Sequence, residues 1–262
     1  MTLLSDVHYC APNVAYIPNL KELVHHAFSW GRGSPNMSRS HGAAVDVIKA
    51  EAAFFERASL SQHGSRAVMI PEHKSSIAHI DLKSVANVAT LHVTCDCLIT
   101  ALPNITLVVK PADCPVSIIV PNKNHARRFV AVLHSGRAGL DARLPYNAVQ
   151  HIASEFHISP QELVIGVAPC ITVKHHFIRS LLELKHPELW TGCIQQREGL
   201  FFLDFSLMLE KQYLLAGVLP ENIMMHDVDT FAAASRGESF SHRFWQMNSG
   251  HANGRFLVAA EL

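Results

Sequence analysis

The sequence carries little charge and no excess of either sign. Only 17% of its 262 residues are charged, and 22 Lys and Arg are balanced by 22 Asp and Glu. A nucleic-acid-binding surface normally needs a basic excess, and blocks of like charge mark a site for an anionic membrane. The sequence therefore predicts neither a nucleic acid nor a membrane as a partner.

Long hydrophobic runs and an export signal are also missing. Apolar runs such as residues 129–133 are about five residues long, far below the roughly 18 that cross a bilayer. The N-terminus contains Asp6 and no cationic run ahead of an apolar stretch, so we expect no signal peptide. The six cysteines show no repeated spacing, and we expect reduced thiols in a cytoplasmic protein.

What the chain does contain is apolar residues, at 48%, and an unusual 18 histidines. A chain of this length and apolar content can bury one large core, and no linker or repeat divides it. We therefore predict a single domain over residues 1–262. We interpret the pairs His25-His26 and His175-His176 as surface or packing residues.

Hydrophobic spacing and turn residues predict a mixture of strands and helices. Helical spacing extends over residues 43–60, 147–156 and 203–216, and a short helix is predicted to start at Ser159. Strands are predicted over residues 91–100, 105–110, 115–120, 129–134, 164–167 and 256–260. This order indicates a mixed-sheet α/β or α+β domain. A doubly wound nucleotide-binding fold is disfavoured, because no strand is followed by a glycine-rich phosphate loop.

Two junctions between predicted elements carry residues that suit chemistry. Residues 112–115 read Ala-Asp-Cys-Pro between two apolar strands, and residues 134–139 read His-Ser-Gly-Arg-Ala-Gly after a third. Thiolate and imidazole are ligands that suit Zn²⁺, and a catalytic zinc keeps three protein ligands and one open position. Cys114 and His134 are thus candidate ligands with room for a third histidine. The alternatives are a small buried cysteine and a hydrogen-bonded histidine at a strand end.

Two further cysteines lie in the predicted strand over residues 91–100. Alternation along a strand would place Cys95 and Cys97 on one face and Asp96 on the other. We interpret the two cysteines as core residues, with a C-x-C metal pair as the alternative.

The motifs from Cys95 onward resemble the YfiH-type family, also called the polyphenol-oxidase or laccase-domain family. The family pattern runs Asp-x-Leu-x-Thr, Ala-Asp-Cys-x-Pro and His-x-Gly-Trp-Arg-Gly, and this chain has matching segments at 96–100, 112–115 and 134–139. Weaker matches are Pro-Glu-His at 71–73, Pro-Cys-Ile at 169–171, Phe-Ser-His-Arg at 240–243 and Gly-Arg at 254–255. The order and rough spacing hold from about Ala27 to the C-terminus.

The resemblance implies a fold, a metal and a substrate class. The fold would be a four-layered α/β/β/α sandwich, and His73, Cys114 and His134 would bind zinc, with copper as the alternative. Family members are described as acting on purine nucleosides, by phosphorolysis or deamination of adenosine. The expected partners are therefore a purine nucleoside and phosphate, and we expect a monomer or a homodimer.

Other residues take expected roles within that scheme. Cys114, His134 and Asp113 would be catalytic, and Asp113 or Glu72 could act as the proton shuttle that zinc deaminases need. A phosphate or other substrate group would be bound by the set Arg243, Arg255, Ser241 and Arg137, because guanidinium groups bind phosphate in bidentate fashion.

Two alternatives remain open at this point. Cys114 with His134 as its base could form a nucleophilic pair for amide or thioester chemistry, as in editing of peptidoglycan precursors. The chain could also be a catalytically eroded metal-binding member. The family's Trp-Arg is Arg137-Ala138 here, and its Tyr/Phe-Glu-Val segment is His-Phe-Ile at 176–178.

Overall fold

Strands and helices are mixed along the chain in the computed structural model, which describes residues 1–60, 64–86 and 88–262. The strands are β1 (Thr2–Leu4), β2 (His8–Ala11), β3 (Val14–Tyr16), β4 (His25–Ser29), β5 (Ser65–Ile70), β6 (Ile77–His79), β7 (Thr90–Thr94), β8 (Cys97–Thr100), β9 (Ile105–Val109), β10 (Val116–Pro121), β11 (Val130–His134), β12 (Leu163–Val167), β13 (Phe177–Ile178), β14 (Ile194–Arg197), β15 (Leu200–Leu203), β16 (Ile223–His226) and β17 (Val258–Glu261). The α-helices are α1 (Ala44–Arg57), α2 (Leu82–Val85), α3 (Arg137–Asp141), α4 (Leu144–Phe156), α5 (Phe205–Leu215), α6 (Thr230–Ser235) and α7 (His242–Met247).

Two seven-stranded mixed sheets form the centre of the fold. The first sheet has the strand order β1-β16-β12-β10-β11-β8-β6, and the second has the order β2-β3-β4-β17-β9-β5-β7. Parallel and antiparallel pairs occur in both sheets. A three-stranded sheet, β13-β15-β14, is separate from them.

The layers follow from the alternation of side chains along the strands. In β10, Val116 and Ile118 enter an apolar layer shared with strands of the second sheet, whereas Ile119 packs with the residues of α4 and α5. On the far side of the second sheet, Phe54 of α1 packs against Val108. Successive strand residues point to opposite faces, so the central strands bury both faces, whereas β7 exposes Thr90, His92 and Thr94. The α/β/β/α sandwich expected from the sequence is thus observed.

Most predicted elements are present with small shifts at their ends. Helices α1, α4 and α5 lie where helical spacing predicted them, and β9, β10, β11, β12 and β17 lie where strands were predicted. The start signal at Ser159 forms a 3₁₀ turn over Pro160–Glu162, with Ser159 and Glu162 in a capping box. Among the residues that the structure describes, no helix has both the length and the apolar character needed to cross a membrane.

The predicted strand over residues 91–100 is wrong, because the chain changes sheets within it. Strand β7 belongs to the second sheet and β8 to the first, and the backbone N–H groups of Asp96 and Cys97 both donate to the carbonyl of Ser76 at 3.0 Å. Cys95 therefore packs between the sheets and Cys97 packs on the helix side. The two thiols do not share a face, which removes the C-x-C metal pair.

Candidate metal centre

Strand pairing in the first sheet brings Cys114 and His134 together. His134 is the last residue of β11 and pairs with Val116 of β10, two residues after Cys114. His73 reaches the same place from the segment between β5 and β6, where its backbone has a φ of 59°. One ligand atom from each of His73, Cys114 and His134 lies within 4.8 Å of the others. In the part of the chain that the structure describes, this is the one group of three such residues at that separation.

The carboxylate of Asp96 holds both histidines in place. Its Oδ1 accepts the backbone N–H of His73 at 3.0 Å, its Oδ2 accepts that of Lys74 at 2.6 Å, and Oδ1 lies 3.7 Å from Nδ1 of His134. Burial raises the pKa of Asp96, but interactions with His134 and the two N–H groups outweigh it and leave the pKa below its usual value. Asp96 is therefore a fixed anion beside the group. Sequence reasoning missed this role because it treated Asp96 as a residue within a strand.

Gly136 leaves space at the centre of the group. A Cβ atom at this position would lie 3.0 Å from Sγ of Cys114, 3.4 Å from Cδ2 of His73 and 3.5 Å from Cε1 of His134. The backbone of Gly136 has a φ of −64°, which any residue can adopt. The requirement for glycine here is thus one of space and not of backbone conformation.

The charges of Cys114 and His134 support each other. Burial alone raises the pKa of the Cys114 thiol, but His134 and His73 lower it to about 6. Burial lowers the pKa of His134, whereas the Cys114 thiolate and Asp96 raise it to about 9. A thiolate and two imidazoles are a donor set that fits zinc, and a carboxylate behind a ligating histidine is the common outer partner in such sites. The residues present therefore fit a zinc ion.

Asp113 supports the turn that presents Cys114. Its backbone has a φ of 87° and its carboxylate accepts the Thr230 hydroxyl at 2.7 Å and the Arg243 backbone N–H at 2.8 Å. Burial raises the pKa of Asp113 and outweighs the hydrogen bonds from Arg243, Ser241 and Thr230, which lower it. The carboxylate thus ties the Cys114 turn to the starts of α6 and α7.

Glu72, the other expected proton shuttle, is engaged in local contacts. It accepts a hydrogen bond from the Ser76 hydroxyl and lies 2.8 Å from Nζ of Lys74. These contacts, with Lys74 as the largest cause, lower the pKa of Glu72. The residue is therefore held as a carboxylate beside the segment that carries His73.

A cavity of about 730 Å³ opens over the triad. Its charged and polar lining includes Arg137, Arg179, Arg243, His176, Asp113 and Glu183. The Arg137 guanidinium lies 3.0 Å from Glu183, and that of Arg243 donates to the Phe177 carbonyl at 2.9 Å. Three guanidinium groups, two carboxylates and the Cys114 thiolate thus line the cavity, so positive and negative charges are balanced there.

The expected substrate-binding residues divide into two pairs. Arg137 and Arg243 line the cavity, whereas Arg255 and Ser241 do not. Arg255 donates to the side chain of Asn253 and to its neighbouring carbonyl, and Ser241 caps α7 through the backbone N–H of Phe244. The first pair thus lines the cavity, whereas Ser241 donates to Asp113 and Arg255 interacts electrostatically with Cys114 and Asp113 from outside it.

His176 is a cavity residue that sequence reasoning missed. Its Nε2 is buried without a hydrogen-bond partner among the described residues, and its ring lies 4.3 Å from that of Phe205. Burial is the main cause that lowers the pKa of His176, to about 3, so the ring is neutral. The available signal was its position at the start of the His-Phe-Ile segment, where the family has an aromatic residue and a carboxylate.

Comparisons with known proteins identify the family and the fold. A family model described as multi-copper polyphenol oxidoreductase laccase matches residues 29–260. YlmD from Geobacillus stearothermophilus shares the fold with a TM-score of 0.83 at 17% identity, over 98% of this chain and 99% of that one. The hypothetical protein YfiH from Bacillus licheniformis gives a TM-score of 0.78 at 19% identity, over 98% of both chains. A Neisseria meningitidis protein gives 0.68 at 16% identity, over 98% of this chain and 97% of that one. The search of curated proteins gave no match.

Proposed function

Since this chain belongs to the laccase-domain family of YfiH type, we propose that it is a zinc-dependent enzyme acting on purine nucleosides, with phosphorolysis of adenosine as its reaction. The observation that carries the proposal is the convergence of His73, Cys114 and His134 beside a cavity that three arginines line. Cavities of roughly 300–1,000 Å³ hold small-molecule ligands, and a nucleoside with phosphate falls in that range.

The triad supports zinc better than a set of several copper ions. A multi-copper oxidase needs several ligand groups, and within the described residues the group of His73, Cys114 and His134 is the one found. When bound there, zinc would supply a Lewis acid that activates water or an oxygen of the substrate at neutral pH. Asp96 would keep the two histidines oriented for it.

Two guanidinium groups of the cavity lining support binding of phosphate. Arg137 and Arg243 both line the cavity, and the planar fork of guanidinium groups matches the oxygens of phosphate. Arg243 is anchored on the Phe177 carbonyl and lies over the Phe177 ring, with its Cζ 4.7 Å from the centroid. An anion bound between the two would release Arg137 from its exposed pair with Glu183, which contributes little by itself.

Phosphorolysis is favoured over deamination by the state of the acidic residues. Deamination by zinc enzymes uses a free glutamate as proton shuttle. Here Asp113 accepts hydrogen bonds from Thr230 and Arg243, and Glu72 is engaged by Ser76 and Lys74. Neither carboxylate is free to exchange protons with a substrate, whereas the arginines of the cavity are accessible to phosphate.

The test is product analysis after incubation with adenosine, with and without phosphate. We expect adenine and ribose 1-phosphate, formed only when phosphate is present, because the glycosidic bond is exchanged for a C–O bond to phosphate. Arg243→Gln should raise KM for phosphate, while Arg32→Gln, on an exposed arginine outside the cavity, should not. Inosine formed without phosphate would replace phosphorolysis by deamination. Absence of any product from zinc-loaded protein would overturn the proposal.

A second candidate is a cysteine-nucleophile hydrolase, which the Cys114–His134 pair favours. The pKa of Cys114 is held at about 6 despite burial, which is typical of reactive thiols beside an imidazolium. The Cys114 thiolate would attack the amide carbonyl to form a thioester, while the C–N bond breaks and the amine leaves with a proton from His134. Water would then hydrolyse the thioester to a carboxylic acid and the free thiol. Activity that survives complete removal of metal by a chelator would select this candidate, and activity lost on chelation and restored by Zn²⁺ would exclude it.

A further inference from the structure

A second pair of histidines faces each other across the edge of the first sheet, apart from the triad. His79 is the last residue of the edge strand β6, and His151 lies on α4, which covers that sheet. Their Nε2 atoms are 2.6 Å apart and their ring centroids 5.0 Å apart. Two imidazole nitrogens from different elements thus point at the same place.

The surroundings of the pair hold the rings and supply a carboxylate. The ring of Phe156 lies 6.4 Å from that of His79 in a stacked orientation and 4.2 Å from that of Phe129, which is wholly buried. Glu155 follows His151 by four residues on α4, so the two side chains lie on the same face of the helix. His79 and Glu155 are exposed to solvent and His151 is half-buried, so an ion can reach the pair.

We propose that His79 and His151 form a second metal site, for a divalent transition metal such as Zn²⁺, Ni²⁺ or Cu²⁺, which joins the edge strand β6 to helix α4. Glu155 adds a negative charge near the pair and is not one of the ligands. Nothing in this proposal depends on the activity of the triad.

The chemistry of the two side chains fits such an ion. Neutral imidazole suits zinc, copper and nickel, and water completes the coordination. Zn–N distances of about 2.0–2.1 Å place two ligating nitrogens about 2.9–3.4 Å apart at octahedral to tetrahedral angles. The pair needs to open by less than about 1 Å from its present 2.6 Å, which rotation of an exposed side chain supplies. Without metal, one Nε2–H donates to the other Nε2.

The ion would stabilise the short edge strand β6. Strand β6 has three residues and, among the described strands, pairs only with β8. An edge strand of this kind exposes unpaired backbone groups. Because an ion bound by β6 and α4 together requires the folded state, its binding free energy adds to the stability of the folded protein.

Zinc stoichiometry, measured by equilibrium dialysis of the full chain, tests the site. We expect two zinc ions for the wild type, one for Cys114→Ala, one for His151→Ala and none for the double variant. His92→Ala, on an exposed histidine of β7, is the control and should retain two. His151→Ala keeps the helix, since alanine has the highest helix propensity. Glu155→Gln should weaken the second ion by less than about ten-fold, because it removes a nearby negative charge and not a ligand.

The outcomes separate this site from the triad. Two ions bound by His151→Ala, or one by the double variant, would overturn the proposal. Two ions bound by Cys114→Ala would instead count against the triad and leave the second site intact. In a thermal melt, Zn²⁺ should raise the Tm of Cys114→Ala and leave that of the double variant unchanged. Equal Tm shifts in both variants would also overturn the proposed metal link between β6 and α4.

Discussion

The Oδ1 atom of Asp96 accepts the backbone N–H of His73 at 3.0 Å. His73 has a φ of 59°, a left-handed conformation that costs a residue other than glycine of order 1–3 kcal/mol unless its surroundings compensate. The hydrogen bond to a buried carboxylate supplies that compensation. It also fixes the His73 backbone next to His134, which faces the same carboxylate oxygen at 3.7 Å. One acidic residue thus sets the positions of two proposed ligands.

Replacement of Asp96 by asparagine tests this positioning role. Asp96→Asn keeps the size and an acceptor for the His73 N–H but removes the charge that faces His134. We expect zinc affinity to fall by about 10- to 100-fold, as is usual when the outer partner of a ligating histidine is changed. Competition with a chromophoric chelator measures it. Asp6→Asn, on an exposed residue, should bind as the wild type does, and equal affinities for the two variants would contradict the role of Asp96.

Introduction of a methyl group at Gly136 tests the space at the triad. In Gly136→Ala the new Cβ would lie 3.0 Å from Sγ of Cys114 and 3.4 Å from His73, closer than side chains normally pack. The backbone conformation suits alanine, so the circular dichroism spectrum should match that of the wild type. We expect the triad to lose its zinc ion in elemental analysis. Full occupancy with wild-type affinity would show that the ligands do not need this space.

The sequence singled out Cys114 and His134 because they stand at element ends, whereas His73 entered the triad only through the family resemblance. Residues 112–115 and 134–139 flank strands that local alternation identifies, and the pairing of Val116 with His134 then follows from strands adjacent in sequence. The four layers followed from the family resemblance and from the mixture of elements. Patterns within a few residues, together with the family resemblance, led to these predictions.

Contacts between distant segments could not be predicted in this way. Asp96 lies at a crossing between sheets, and an apolar stretch over residues 91–100 carries the same alternation whether it forms one strand or two. Arg255 follows the matching glycine of its motif, but its guanidinium donates to the side chain of Asn253. The motif does not specify the side-chain rotamer that makes this hydrogen bond. The cavity role of His176 depends on Phe205, which is 29 positions away in the chain.

Acid stability should depend on His226, a buried histidine at the end of β16. Neither ring nitrogen has a hydrogen-bond partner among the residues that the structure describes, and burial is the largest cause that lowers the pKa of His226 to about 4. The unfolded chain takes up a proton near pH 6.5 and the folded chain does not. Stability is therefore lost as pH falls from about 6.5 to about 4, by up to about 3 kcal/mol from this residue.

The variant His226→Phe removes that proton and keeps the aromatic packing against Phe28, whose ring centroid lies 5.6 Å away. We expect its free energy of unfolding to fall less steeply than that of the wild type between pH 6.5 and pH 4, in urea titrations at each pH. His92→Gln, on an exposed residue, should follow the wild-type curve. Parallel curves for His226→Phe and the wild type would refute a neutral buried His226.

Alkylation of the metal-free protein should report the charge on Cys114. Because His134 and His73 lower the pKa of this thiol to about 6, most of it is thiolate at pH 7, and the thiolate is the reactive form. Burial raises the pKa of Cys95, Cys97, Cys170 and Cys193, which should stay unreacted there. With iodoacetamide and peptide mass spectrometry, we expect modification of Cys114 to reach half its maximal rate near pH 6 and to stop when zinc is added. Cys114→Ala gives the background from exposed Cys10. A rate that rises only above pH 8 would mean that the imidazoles do not stabilise the thiolate. Protection by zinc would then have to arise from something other than ligation by Cys114.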